Sequence, residues 1–266
     1  MIKNRFNRLR HLVRPWLAVC VLGSLTLTAC DNDDSIQNIL RPVTTYGNTV
    51  SIGNGAARSF VTVDAFGKPT EIGMRLSEAA LTGLPPEDTN PPAWYVLNLP
   101  ATTARLPFNH LSFDWNSHGH EPALIYDTPH FDIHFYMISL AERQQIMLND
   151  PKGEINPDSR YLPANYIGPP GVVPMMGKHW VDPTSREFNG QAFTQTLIYG
   201  SYNGNVIFQE PMITLAYLQG KTTQTFALPQ PQAFARTGLY YPTKYTIGYN
   251  AMSREYTVML HDMVLR

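Results

Sequence analysis

Cysteine is nearly absent. The 266-residue chain has two, Cys20 and Cys30, and both fall within the first 30 residues. The body that follows has no thiol, which excludes disulfides, thiolate metal ligands and a cysteine nucleophile. Charge is scarce too: 15% of residues are Asp, Glu, Lys or Arg. Low charge combined with 22 prolines, 18 glycines and 11% aromatics favours β structure over helix. The basic residues are unevenly spread. Lys3, Arg5, Arg8, Arg10 and Arg14 all precede the first acid, Asp31; without them 15 basic residues face 21 acidic ones, a net of about −6. A mildly acidic body argues against nucleic acid as a partner. The GxSxG elbow, the P-loop and the dinucleotide fingerprint are all missing. No two acids stand out as a glycosidase pair, although sequence does not exclude one.

The first 29 residues read as an export signal: a basic start, then an apolar stretch from Trp16 to Ala29 too short for an ordinary transmembrane helix. It ends in Leu27-Thr28-Ala29-Cys30, which resembles the lipobox of bacterial lipoproteins. That resemblance implies a lipidated Cys30 at the new N-terminus and a protein held by its lipid at the cell envelope, facing the periplasm. It also implies that Asp31, directly after the cysteine, favours the inner membrane. Residues 30–57 then read as lipidated cysteine and polar tether, and 58–266 as one β-rich domain, a length that suits a single core.

Within the domain, SFVTVDAF and TEIGMRL read as strands around Gly67, and SEAALTGL as a short helix capped by Ser77. SLAERQQIMLND has the best helical pattern, with Ser139 and Glu142 spaced as a capping box. The stretch 150–177 is a long Pro/Gly-rich loop, of the kind that more often serves function. AFTQTLIYGSYNGNVIFQEPMITLAYL predicts two strands hinged at Asn203-Gly204. The expected fold is mainly β: an antiparallel sandwich or barrel-like domain with one or two short helices.

The chemistry concentrates in residues 114–136, DWNSHGHEPALIYDTPHFDIHFY, which hold four of the eight histidines. In PHFDIHFYMI, His130, Asp132, His134 and Tyr136 share one parity and Phe131, Ile133, Phe135 and Met137 the other, the period of a strand with an apolar core face and a polar face turned to solvent or a cleft. His118-Gly119-His120 is an HxH pair, about 6.6 Å apart if on a strand, a span that one ion bridges. His130 and His134 stand about 13 Å apart on a strand, too far to share an ion, so one is the expected ligand and the other lines the cleft. Without thiols a metal must sit on His, Asp and Glu, which suits zinc or copper(II). The candidate ligands are His118, His120, Glu121, His130, His134 and, from the distal loop, His179; Asp132 and Glu210 are expected behind them, holding ligand N–H groups. The competing reading is a hydrogen-bonded polar network without an ion. His110 and His261 read as ordinary structural histidines.

FDWNSHGHEP, PHFDIHFYMI, MMGKHW and IYGSYNGNVIFQEPMIT, in this order, resemble the TTHB-type family of uncharacterised exported bacterial proteins, over roughly residues 55 to 220. The resemblance implies a mostly β fold and ring-like homo-oligomers, and brings no established activity. His120, Glu121, His130, Asp132, His134, His179 and Glu210 fall within its motifs. The sequence therefore leads to a lipid-anchored envelope protein with a His/carboxylate site that takes zinc or copper, or else a structural and interaction lipoprotein. If catalytic, it would use a metal-bound water with Glu121 or Asp132 as base.

Overall fold

Alternating apolar residues force most of the chain into strands that must bury one face against another layer. The computed structural model describes residues 41–86, 93–102 and 104–266, all within one compact unit, Ile39–Arg266. The export signal and Cys30 lie outside the described residues. The strands are β1 (Val43–Ile52), β2 (Gly55–Val63), β3 (Pro69–Ser77), β4 (Ala93–Asn98), β5 (His110–Asn116), β6 (His130–Tyr136), β7 (Lys178–Trp180), β8 (Gln195–Tyr202), β9 (Asn205–Thr214), β10 (Gln224–Ala227), β11 (Tyr240–Tyr241), β12 (Lys244–Asn250), β13 (Glu255–His261) and β14 (Val264–Leu265). They form two six-stranded antiparallel sheets, ordered β1-β2-β3-β13-β12-β10 and β4-β5-β6-β9-β8-β7, plus a small β11-β14 ribbon. The expected β-sandwich is borne out, and neither sheet closes into a barrel. Among the described residues no helix is long and apolar enough to cross a membrane.

The main core lies between the sheets. Ile72, Met74, Val258 and Leu260 from the first sheet meet Phe113, Trp115, Phe131, Ile133 and Phe135 from the second. Phe131 stacks on Phe113 at 4.8 Å and tilts against Trp115 at 4.6 Å. Two smaller clusters form on the opposite, outer face of the second sheet. One joins Tyr126, Val181 and Phe193 to Ile198 and Met212; the other joins Ile146 and Val172 to Tyr136, Ile207 and Phe208. The loops after β5 and β6 therefore roof this face, and all seven residues of β6 are buried. The polar face of β6 meets neither solvent nor an open cleft.

Local expectations fare unevenly. The Asn203-Gly204 hairpin forms, with both residues at positive φ (50° and 75°). The capping box forms as well: Ser139 Oγ accepts from the Glu142 N–H, and Glu142 returns the bond to the Ser139 N–H at 2.8 Å. The helix it starts lasts only from Leu140 to Arg143. The chain then bends to bury Ile146 beside Tyr136 and Phe208, and tertiary packing overrides the helical pattern. Glu78–Leu81 is a 3₁₀ turn in which the Ser77 hydroxyl accepts from the Ala56 N–H instead of capping. Leu215–Gln219, which the sequence placed in a strand, is a helical turn capped by Thr214. The stretch read as tether contains β1, an edge strand whose mostly exposed Thr and Asn residues hide its period.

One ionic cluster ties the turns at the far end together. Glu78 accepts from Lys221 at 2.7 Å, Arg254 at 3.1 Å and the Tyr249 hydroxyl at 2.6 Å. The Lys221 hydrogen bond first, then those of Tyr249 and Arg254, hold its carboxyl down to about 2, from an ordinary 4.5. A lowered folded pKa means that the contribution is full above pH 4.5 and is lost as pH falls through about 2. Glu78→Gln is expected to lower the urea midpoint at neutral pH, and the gap should close across that acid window. A gap that stays constant down to the lower limit would show that the ionised carboxylate contributes nothing.

Candidate metal centre

Strand register assembles the polar side chains on the outer face of the second sheet. β5 sets Ser112 opposite His134, Asp114 opposite Asp132 and Asn116 opposite His130. On the other side of β6, Asp132 lies opposite Met212 and Tyr136 opposite Phe208, which brings Glu210 alongside His134. His179, on β7, pairs with Gly200 on β8. Gly200 is required here, because a Cβ at this position would overlap the Phe208 ring. That ring packs edge-on to His134 at 4.8 Å and against His179 at 5.5 Å.

The face carries two groups, each able to present one ligand atom per residue within 4.8 Å of the others: His120, His130 and Asp132; and His134, His179 and Glu210. In the first, outer group, His120 Nε2 lies 3.2 Å from Asp132 Oδ2 and His130 Nε2 lies 3.2 Å from Asp132 Oδ1. His130 Nδ1 donates to the Thr128 carbonyl at 2.6 Å and His120 Nδ1 to the Glu121 carbonyl at 2.7 Å. With Nδ1 donating to a carbonyl in both, Nε2 is the ring nitrogen turned toward Asp132. Asn116 Nδ2 donates to Asp132 Oδ2 at 2.7 Å. Burial pushes the Asp132 carboxyl up, but the His130 and His120 imidazoles outweigh it and hold the group well below its ordinary range.

In the second, inner group, His134 Nε2 lies 3.3 Å from Glu210 Oε2 and His179 Nε2 3.8 Å from the same oxygen. His134 Nδ1 faces Asp114 Oδ2 at 3.2 Å, and the Ser112 hydroxyl donates to Asp114 Oδ1 at 2.7 Å. Burial, followed by the Asp132 and Asp114 carboxylates, pushes the Glu210 carboxyl well above its ordinary value. Burial, with the neighbouring His134 and His120, pulls the His179 imidazole down to about 3, so it stands neutral and lone-pair-bearing at physiological pH. Arg143, fully buried, lies 4.3 Å over the Tyr136 ring, which in turn stacks with His134 at 5.2 Å.

The structure therefore gathers four of the six histidine and glutamate ligand candidates, two in each group. His120 and His130 meet in one group, and His134 and His179 in the other. His118 and Glu121 are in neither. His118 is exposed beside Ser117, because residues 117–120 turn instead of running as a strand, so the HxH pair does not share a face. Glu121 serves through its carbonyl, which orients His120, while its side chain accepts from the Ala123 N–H. Asp132 and Glu210 lie within the two groups, their carboxylate oxygens directly facing the ring nitrogens. His130 and His134 do fall apart, yet each has its own partners. Sequence reasoning missed the roles of Asp114, Ser112 and Asn116. The signal was the parity of HLSFDWN, where these three and His110 share a face. His110 stacks on Tyr136 at 4.9 Å, and burial drives its imidazole down to about 4. His261 hydrogen-bonds Thr246 on the other sheet.

Fold and site together define a β-sandwich whose outer face buries two histidine–carboxylate groups. Residues 64–115 match the model of the TTHB210-like family, described as hypothetical protein TTHB210, so the expected resemblance is borne out over that span. The match runs from the turn before β3 to Trp115 on β5 and includes Ser112 and Asp114. No curated protein and no solved structure matches the chain.

Proposed function

We propose that this is a lipid-anchored envelope protein that binds transition-metal ions, zinc or copper(II), on the outer face of its second sheet. One observation carries the reading. Among the described residues, six buried polar atoms make no hydrogen bond and instead form three facing pairs at 3.2–3.3 Å: His130 Nε2 with Asp132 Oδ1, His134 Nδ1 with Asp114 Oδ2, and His134 Nε2 with Glu210 Oε2. Buried polar atoms left unpaired cost about 1–3 kcal/mol each, and proteins seldom concentrate them. A cation among the inward lone pairs satisfies the imidazole nitrogens and carboxylate oxygens together. The His134 Nδ1–H then faces Asp114, the carboxylate–histidine–metal arrangement found behind metal ligands. A polar network without an ion needs a proton between each facing nitrogen and oxygen.

The chain, extracted from envelopes in detergent without chelator or His-tag, is expected to carry zinc or copper by plasma mass spectrometry. His130→Ala and His134→Ala should each reduce it. Metal-free protein that takes up neither ion on incubation would sink the reading in favour of the network.

A further inference from the structure

We infer that the metal centre is double and unequal: a closed inner position on His134, His179 and Glu210, and an outer position on His120, His130 and Asp132 that keeps a coordination site for a small monovalent anion. This rests on the metal-binding reading. Separation comes first. Zinc–nitrogen and zinc–oxygen bonds of about 2.0–2.2 Å place any two ligand atoms on one ion no more than about 4.4 Å apart. Within each group the ligand atoms lie within 4.8 Å of one another, close to that limit. Between groups, Asp132 and His134 project from the same strand about 6.6 Å apart, and His130 and His134 about 13 Å apart. One ion does not serve both sets.

The two sets are also oriented independently. The outer imidazoles are fixed by the carbonyls of Thr128 and Glu121, the inner His134 by the Asp114 carboxylate. This division gives them different charge. A divalent ion with Asp132 as its one carboxylate leaves the outer position at +1. The inner ion has Glu210 as ligand and Asp114 directly behind His134, which brings it to neutrality. An anion therefore gains at the outer position alone.

Access points the same way. The His134 and Glu210 side chains are 0% and 2% exposed and His179 is 22%, with the Phe208 ring packed against both imidazoles. The His120 side chain is 39% exposed, so the outer group opens to solvent along that imidazole. Three protein ligands with a fourth position reachable from water is the arrangement of a reactive zinc site; the inner group also offers three ligands, but its access to water is limited to the partly exposed His179. Hydroxide is the natural anion there; azide is its probe.

The full chain, stripped with chelator and reconstituted with cobalt(II), should bind two equivalents. Azide should change the visible cobalt bands of one of them. His120→Ala should keep one equivalent and lose the azide response, whereas His179→Ala should lose one equivalent and keep the response. A single equivalent in the wild type, lost in both variants, overturns the double centre and leaves metal binding standing. Two equivalents with azide acting through the inner group, or not at all, overturns the assignment of roles. No bound cobalt at all overturns both this inference and the reading beneath it.

Discussion

Replacing His134 with alanine is expected to destabilise the protein by about 3–5 kcal/mol, the usual cost of truncating a fully buried aromatic ring to alanine. The ring is fully buried, with its two nitrogens 3.2 Å from Asp114 and 3.3 Å from Glu210. Its removal leaves two buried carboxyls facing a space that no side chain fills. It also takes away the ring stacked on Tyr136 and gripped edge-on by Phe208. His134→Leu separates the terms: it restores volume without a partner for either acid, so it should recover only the cavity share. Urea unfolding at neutral pH, with and without zinc, is the measurement. An ion at a hundred times its dissociation constant adds about 2.7 kcal/mol to a protein that binds it only when folded. The wild type should gain such an increment and His134→Ala markedly less. A variant that loses under about 1 kcal/mol and responds fully to zinc would make His134 a bystander, against the penalty expected for emptying a buried ring's site.

Gly119→Ala should weaken the outer position at least tenfold, a typical effect of losing what holds a ligand imidazole in place. Gly119 has φ +78°, where an L side chain costs about 1–2 kcal/mol. The cost does not end there. A Cβ would overlap the Tyr126 carbonyl oxygen and press the Asp127 Cα at 2.7 Å. Both obstacles are backbone, so no rotamer change relieves them. The turn that carries His120 must move, and with it the 3.2 Å approach to Asp132. The inner group lies on β6, β7 and β9 and does not depend on this turn. Zinc titration calorimetry should show one affinity falling and the other unchanged. Equal affinities in variant and wild type would mean that His120 is positioned by something other than this turn.

The chain's local pattern determined a good deal. The alternation of HFDIHFY fixed a strand with His130, Asp132 and His134 on one face, and its rise kept the two histidines in separate groups. The Asn203-Gly204 turn and the Ser139–Glu142 box were legible because both are short-range hydrogen-bonding devices written in adjacent residues. Family likeness was read from motifs between Phe113 and Thr214, and the family model matches residues 64–115. Tertiary structure decided what the histidines face. Glu210 reaches His134 only because β9 returns to pair with β6, with β7 and β8 placed outside it. His120 reaches Asp132, twelve positions on, only because a glycine-turned loop folds back. That the polar face is buried, and that it divides into two groups, follows from loops laid over it by the Tyr126–Phe193 and Ile146–Val172 clusters. Strand period is a property of consecutive residues. Strand neighbours and loop cover are settled by which distant apolar surfaces bury each other best, and no local segment carries that information.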